Sequence, residues 1–217
     1  MGVTGGFPID IILFGMIAAF LVLRLKGILG RRTGFERPAS SPMPDGPAPL
    51  RDAAPAAPPP SRALPDPAST VGQTLGAMQA TDPHFSPEGF LDGAEKAFRI
   101  IVHAYATGDR AALRPLLGDD TWNAFDHAIT GREKSGQAQV LDVKAVHATV
   151  IEGAALKGSI AQVTVRITSD QVNMTNTTAG QVVAGTDAVT EISDIWTFER
   201  DLSQPNPAWH LVAARSA

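Results

Sequence analysis

An apolar run from Ile11 to Leu23, followed at once by Arg24, Lys26, Arg31, Arg32 and Arg37, limits what this chain can fold into more than any other feature. Ile11, Leu13, Phe14, Ile17, Phe20 and Leu23 surround a helix drawn through this run and leave it no polar face, so a bilayer is its natural solvent. The order of charges then separates two kinds of membrane signal. A secretory leader places its basic residues first and a small-residue cleavage site last. Here no Lys or Arg precedes Ile11, and bulky Phe20-Leu21-Val22-Leu23 closes the run. The reading is a retained transmembrane anchor. Val3 to Leu23, with Asp10 held near one end where its carboxylate reaches the headgroups, is 21 residues. At about 1.5 Å per residue that is ~31 Å, the thickness of a hydrocarbon core.

The basic cluster fixes the expected orientation. Under the positive-inside rule Arg24, Lys26, Arg31 and Arg32 stay on the cytoplasmic side and face anionic lipids, each adding about 1 kcal/mol of attraction. Everything after Arg24 is then expected in the cytoplasm. Zero cysteines exclude a disulfide framework and suit a reducing compartment. A net charge of −4 gives no bulk attraction for nucleic acid. The polyanion implied by the positive charge is the membrane.

Composition changes twice after the anchor. Residues 1–37 form the anchor with its basic flank. Residues 38–85 are dense in Pro, Ala, Ser and Asp, too poor in large apolar side chains to offset ordering entropy, and read as a disordered linker biased toward polyproline II. Val71 to Met78 within it can form a short helix at the linker's end. Residues 86–217 read as one folded domain of ordinary size.

That domain begins with helices. Ser86, Pro87 and Glu88 are N-terminal signals, and Phe90, Leu91, Ala94, Phe98, Ile101, Val102 and Tyr105 recur at helical spacing until Thr107-Gly108-Asp109. Asp109 caps a short helix ending near Leu117, and a third starts at Asp120 or Thr121 with Trp122, Phe125 and Ile129. Strand-like segments follow: Val140 to Ile151, the alternating Ala161 to Ile167, a short Gln181 to Val183, Val189 to Glu199, and Trp209 to Ala214. Thr178-Ala179-Gly180 and Ala184-Gly185-Thr186 read as turns. Helices followed by strands imply an α+β domain, with a curved antiparallel sheet wrapped on the long helix as a cone.

Such a cone is expected to enclose a pocket, with Phe98, Tyr105, Trp196 and Phe198 as its candidate lining. Phe90, Phe98, Trp122, Phe125, Trp196, Phe198 and Trp209 are core candidates, of which one or two would line the pocket mouth. His103, Tyr105, His147 and Asp194 are the titratable side chains a general acid or base would be drawn from. They share no motif. The chain has no Cys, no His-x-x-x-His and no Gly-x-Ser-x-Gly, so neither a metal site, a nucleophilic triad nor a cofactor is expected. Arg110, Arg114, Arg132 and Lys134 lie among Asp109, Asp119, Asp120 and Glu133 and read as a mixed solvated surface.

Several linked segments carry a resemblance: Arg24-Leu25-Lys26-Gly27 through Arg31-Arg32-Thr33-Gly34 after the anchor, the Pro/Ala linker, Gly89-Phe90-Leu91-Asp92-Gly93-Ala94, Ala104-Tyr105-Ala106-Thr107-Gly108-Asp109, Leu113-Arg114-Pro115-Leu116-Leu117, and Ile195-Trp196-Thr197-Phe198. Together they resemble bacterial, membrane-anchored members of the Tim44-like family, named for the 44-kDa subunit of the mitochondrial inner-membrane translocase. The resemblance implies a nuclear-transport-factor-2-like cone and a non-enzymatic adaptor at the bacterial inner membrane. In mitochondria the relative tethers a 70-kDa chaperone to the import channel and contacts cardiolipin. Its long charged helical N-terminal region is replaced here by a membrane helix and a proline linker. What carries over is a tethered domain binding anionic lipids or an unidentified protein partner, for which a chaperone or translocase component is a candidate. The alternative on the same fold is a small-ligand-binding protein or isomerase-type enzyme.

Overall fold

A computed structural model of the chain describes residues 61–205 and 208–217. The anchor and its basic flank, residues 1–37, lie outside the described residues, as does the linker up to residue 60. Among the described residues no helix is long and apolar enough to cross a membrane.

The first helix, α1, runs Thr70–Thr81, inside the stretch read from sequence as linker. The Ser69 side chain accepts a hydrogen bond from the Gly72 amide, satisfying one of the orphan donors of the first turn. Leu75 and Met78 on one side of the helix are buried in the main core, as is Phe85 just beyond it. The folded unit therefore starts well before residue 86. Upstream contacts agree: the Arg62 guanidinium pairs with Asp92 and Glu95, and the Ser61 amide donates to the His147 carbonyl at 2.7 Å.

Helix α2, Pro87–Thr107, follows the pattern in the sequence closely. Ser86 accepts from the Gly89 amide, Pro87 occupies the first turn, and Gly108 ends the helix at φ +74°, a left-handed conformation that costs glycine little. Phe90, Leu91, Ala94, Phe98, Ile101 and Val102 form its buried stripe. Asp109 caps the single-turn α3, Arg110–Leu113, by accepting from the Ala112 amide. A 3-10 turn over Arg114–Leu116 leads to α4, Asp119–Lys134. Asp119 and Asp120 stand in its first turn and Arg132 and Lys134 in its last, the arrangement the helix dipole favours.

Four strands follow as an antiparallel meander in the order β1-β2-β3-β4: Gln137–Lys157, Ile160–Thr177, Val182–Asp201 and His210–Ser216. In β2 every second residue from Ala161 to Gln171 is buried, so this central strand lays one face on the helices and the other outward. Register shifts in β1 at Val143/Ala145, Val146/Ala148 and Ile151/Gly153 bend the sheet.

Strand β3 departs from the sequence reading. Val182–Val183 and Val189 to Glu199 belong to one continuous strand, Gln181 lies just before it, and Ala184-Gly185-Thr186 is no turn. Gly185 pairs with Met174 at φ +82°, and a Cβ there would sit 2.1 Å from the Asn173 carbonyl oxygen. Its glycine serves a close backbone approach inside the ladder. The architecture is otherwise the one expected, an α+β domain with helices packed on a bent antiparallel sheet.

Candidate functional site

The face of the sheet turned toward the helices changes character along its length. Ala161, Val163, Val165 and Ile167 of β2 are fully buried, and the next two inward positions are Ser169 and Gln171. Across the ladder Val163 faces Phe198, Val165 faces Trp196 and Ile167 faces Asp194. One end of this face is thus aromatic and the other polar.

The aromatic end is filled. Phe98 and Phe198 are buried to within 1% and Trp196 to 5% exposure. The Phe98 and Trp196 rings meet edge-on at 4.9 Å, Phe90 meets Phe198 at 5.9 Å and Trp209 at 4.9 Å. Tyr105 stands apart from them, packed on Phe125 at 5.1 Å with the Arg132 guanidinium 5.0 Å over its ring. Burial pushes its phenol pKa up, and Arg132 partly offsets this. Of the four residues read as a pocket lining, Phe98, Trp196 and Phe198 pack together and Tyr105 packs on Phe125. A shallow depression of about 100 Å³ opens where α2 meets β1, lined by Arg99, Val102, His103, Leu141, Asp142 and Val143.

At the polar end the Gln171 side-chain amide donates to Ser169 Oγ at 2.9 Å and to Asp194 Oδ2 at 3.2 Å. Burial pushes the Asp194 carboxyl up to about 6, while the Gln171 bond pulls the other way. A carboxyl that titrates near neutrality is what a general base needs. His103 lines the depression between α2 and β1, whose Val143 is paired with Gln171. His147 sits on the outer side of the sheet, 3.0 Å from Asp170, a residue between the inward-facing Ser169 and Gln171. His147 and Asp194 are thus on opposite faces of the sheet.

The basic residues of α3, the 3-10 turn and α4 are largely committed within the fold. Arg110 binds Asp126 at 2.6 Å and Glu133 at 2.8 Å. Arg114 reaches Asp119 at 2.6 Å and lies over Trp122. Arg132 donates to the carbonyls of Tyr105 and Ala106 at the end of α2 and to Gln139. Lys134 is exposed. This is the mixed surface the sequence suggested.

With helices, sheet and a filled interior in place, the comparison with known families is decisive. The profile of the Tim44-like domain matches residues 71–216. The chain belongs to the Tim44-like family. That match begins within α1 and ends in β4, so it covers the folded unit, α1 included. No curated protein is similar enough in sequence to count as a relative. Among solved structures, the intermembrane-space region of the chloroplast protein ARC6 is similar at 9% identity over 62% of this chain and 98% of that one, with a TM-score of 0.45. An NTF2-like superfamily protein from Salmonella enterica is similar at 11% identity over 61% and 92% respectively, with a TM-score of 0.38. The Tim44-like family is one of membrane-associated, non-catalytic adaptors, and membership supports a scaffold or adaptor role in general terms.

Proposed function

We propose that this Tim44-like protein is a single-pass adaptor of the bacterial inner membrane, holding its α+β domain in the cytoplasm to gather a protein or lipid partner at the bilayer. The observation that carries this reading is the family match over residues 71–216. It is supported by the aromatic interior, where Phe98, Trp196 and Phe198 are buried and pack against one another as core. Ile11, Leu13, Phe14, Ile17, Phe20 and Leu23 supply the anchor, and Arg24, Lys26, Arg31 and Arg32 meet anionic headgroups. The proline-rich segment between anchor and domain lets the domain search beneath the membrane, and tethering raises its effective concentration for partners there.

Fractionation with protease protection tests the arrangement. The full chain carrying a C-terminal tag is expected in the membrane pellet, with the tag digested only after the inner membrane is opened. The chain lacking residues 1–37 is expected in the supernatant. A tag digested in spheroplasts reverses the orientation, and a truncated chain still in the pellet removes the anchor from the account.

A further inference from the structure

We propose that the outer face of the sheet carries a divalent-cation site of the zinc class, built by His147, Asp170 and Glu191. These residues come from β1, β2 and β3, and one donor atom from each lies within 4.8 Å of the others. The His147 Nε2 to Asp170 Oδ2 distance is already 3.0 Å. A tetrahedral zinc with bonds of about 2.0–2.2 Å holds its donors about 3.4 Å apart, so three donors already within 4.8 Å of one another need draw in by little more than an ångström. The fourth position stays open to water or to a donor from a partner.

Two features of the sheet set this trio apart from ordinary surface charge. Asp170 and Glu191 are directly opposite each other in the β2–β3 ladder, a like-charge pairing that destabilises a sheet unless a cation joins it. The contact that Asp170 makes is to an imidazole, not to a Lys or Arg. The second feature is the backbone under His147. The register shift between Val146 and Ala148 makes His147 the extra residue of a β-bulge, which takes it out of strict alternation and into the row of Asp170. The bulge is held from the other side: the Ser61 amide donates to the His147 carbonyl and the Thr149 amide donates to the Ser61 carbonyl, at 2.7 and 3.1 Å. The donors are thus carried on strands instead of loops, where geometry is best kept. One imidazole with two carboxylates favours zinc and its neighbours over magnesium, which prefers an all-oxygen octahedron.

Calorimetric titration of the chelator-treated full-length protein in detergent with Zn²⁺, and separately with Mg²⁺, tests the site. One saturable Zn²⁺ equivalent is expected, with Mg²⁺ at least about tenfold weaker. His147→Ala and Glu191→Gln are each expected to weaken Zn²⁺ binding by about tenfold or more, the least that losing a ligand should cost given what outer-shell changes cost. Both side chains are exposed, and far-UV circular dichroism checks that the variants stay folded; Glu191→Gln leaves the bulge untouched and decides the matter if His147→Ala does not fold. In the Co²⁺-loaded protein the visible absorption band should change with His147→Ala. No saturable binding overturns the site, and so does an affinity unchanged in Glu191→Gln or in a folded His147→Ala, which would mean adventitious binding elsewhere.

Discussion

Replacing Asp194 with Asn should stabilise the domain at neutral pH, because the wild-type carboxylate is held where its charge is poorly solvated. Asp194 lies on the helix-facing side of β3 opposite Ile167, and burial raises its pKa from 3.8 to about 6. At about 1.4 kcal/mol per tenfold change in proton affinity, that difference amounts to ~3 kcal/mol, an upper figure for a group that keeps some contact with solvent. The sign follows from proton binding. Between the ordinary carboxyl value and about 6 the folded chain holds a proton that the unfolded chain has released, so stability falls as pH rises through that window. Above it the full penalty is present. Asn keeps an amide oxygen for the Gln171 donor and cannot ionise. All three tryptophans, Trp122, Trp196 and Trp209, lie in the domain, so their fluorescence follows its unfolding even when the full chain sits in detergent. At about 2–4 °C per kcal/mol for a unit of this size, Asp194→Asn should raise Tm at pH 7.5 by several degrees. The gain should disappear near pH 4. A variant no more stable than wild type at pH 7.5, or one whose Tm runs parallel to wild type between pH 4 and 7, would refute the reasoning.

Three further substitutions probe the packing by urea unfolding with the same fluorescence signal. Met78→Ala removes a side chain with no exposed surface and should cost about 2–5 kcal/mol, whereas a value near zero would detach α1 from the core. Trp196→Ala should cost about 3–5 kcal/mol, since its ring is wedged against Phe98 and Phe198; a small loss would make it a surface contact. Gly185→Ala forces a Cβ toward the Asn173 carbonyl at a left-handed backbone position and should destabilise by at least ~1 kcal/mol. A neutral result there would mean the strand relaxes locally.

Helix α2 was legible because its signals agree: a Ser-Pro start, a regular apolar stripe and a Gly stop all lie in the local sequence. Helix α1 was harder, since it sits among prolines and only Leu75 and Met78 betray its buried side. The continuity of β3 was hidden by Gly185, because a glycine that permits close approach inside a ladder looks the same in sequence as one that makes a turn. Aromatic content identified the core residues and left open whether they surround a space or fill it. The trio on the outer face could not be read from spacing at all. His147, Asp170 and Glu191 belong to three different strands, and it is the register of the meander that makes them neighbours.

The adaptor account is tested most directly by recovering the tagged full-length protein from gently solubilised membranes and identifying its bound proteins and lipids by mass spectrometry, beside a chain that keeps the anchor and linker but lacks residues 71–217. The account predicts at least one partner that is retained by the full chain and lost with the domain. Identical partners for both chains, or a bound small metabolite in place of any protein or lipid, would contradict it.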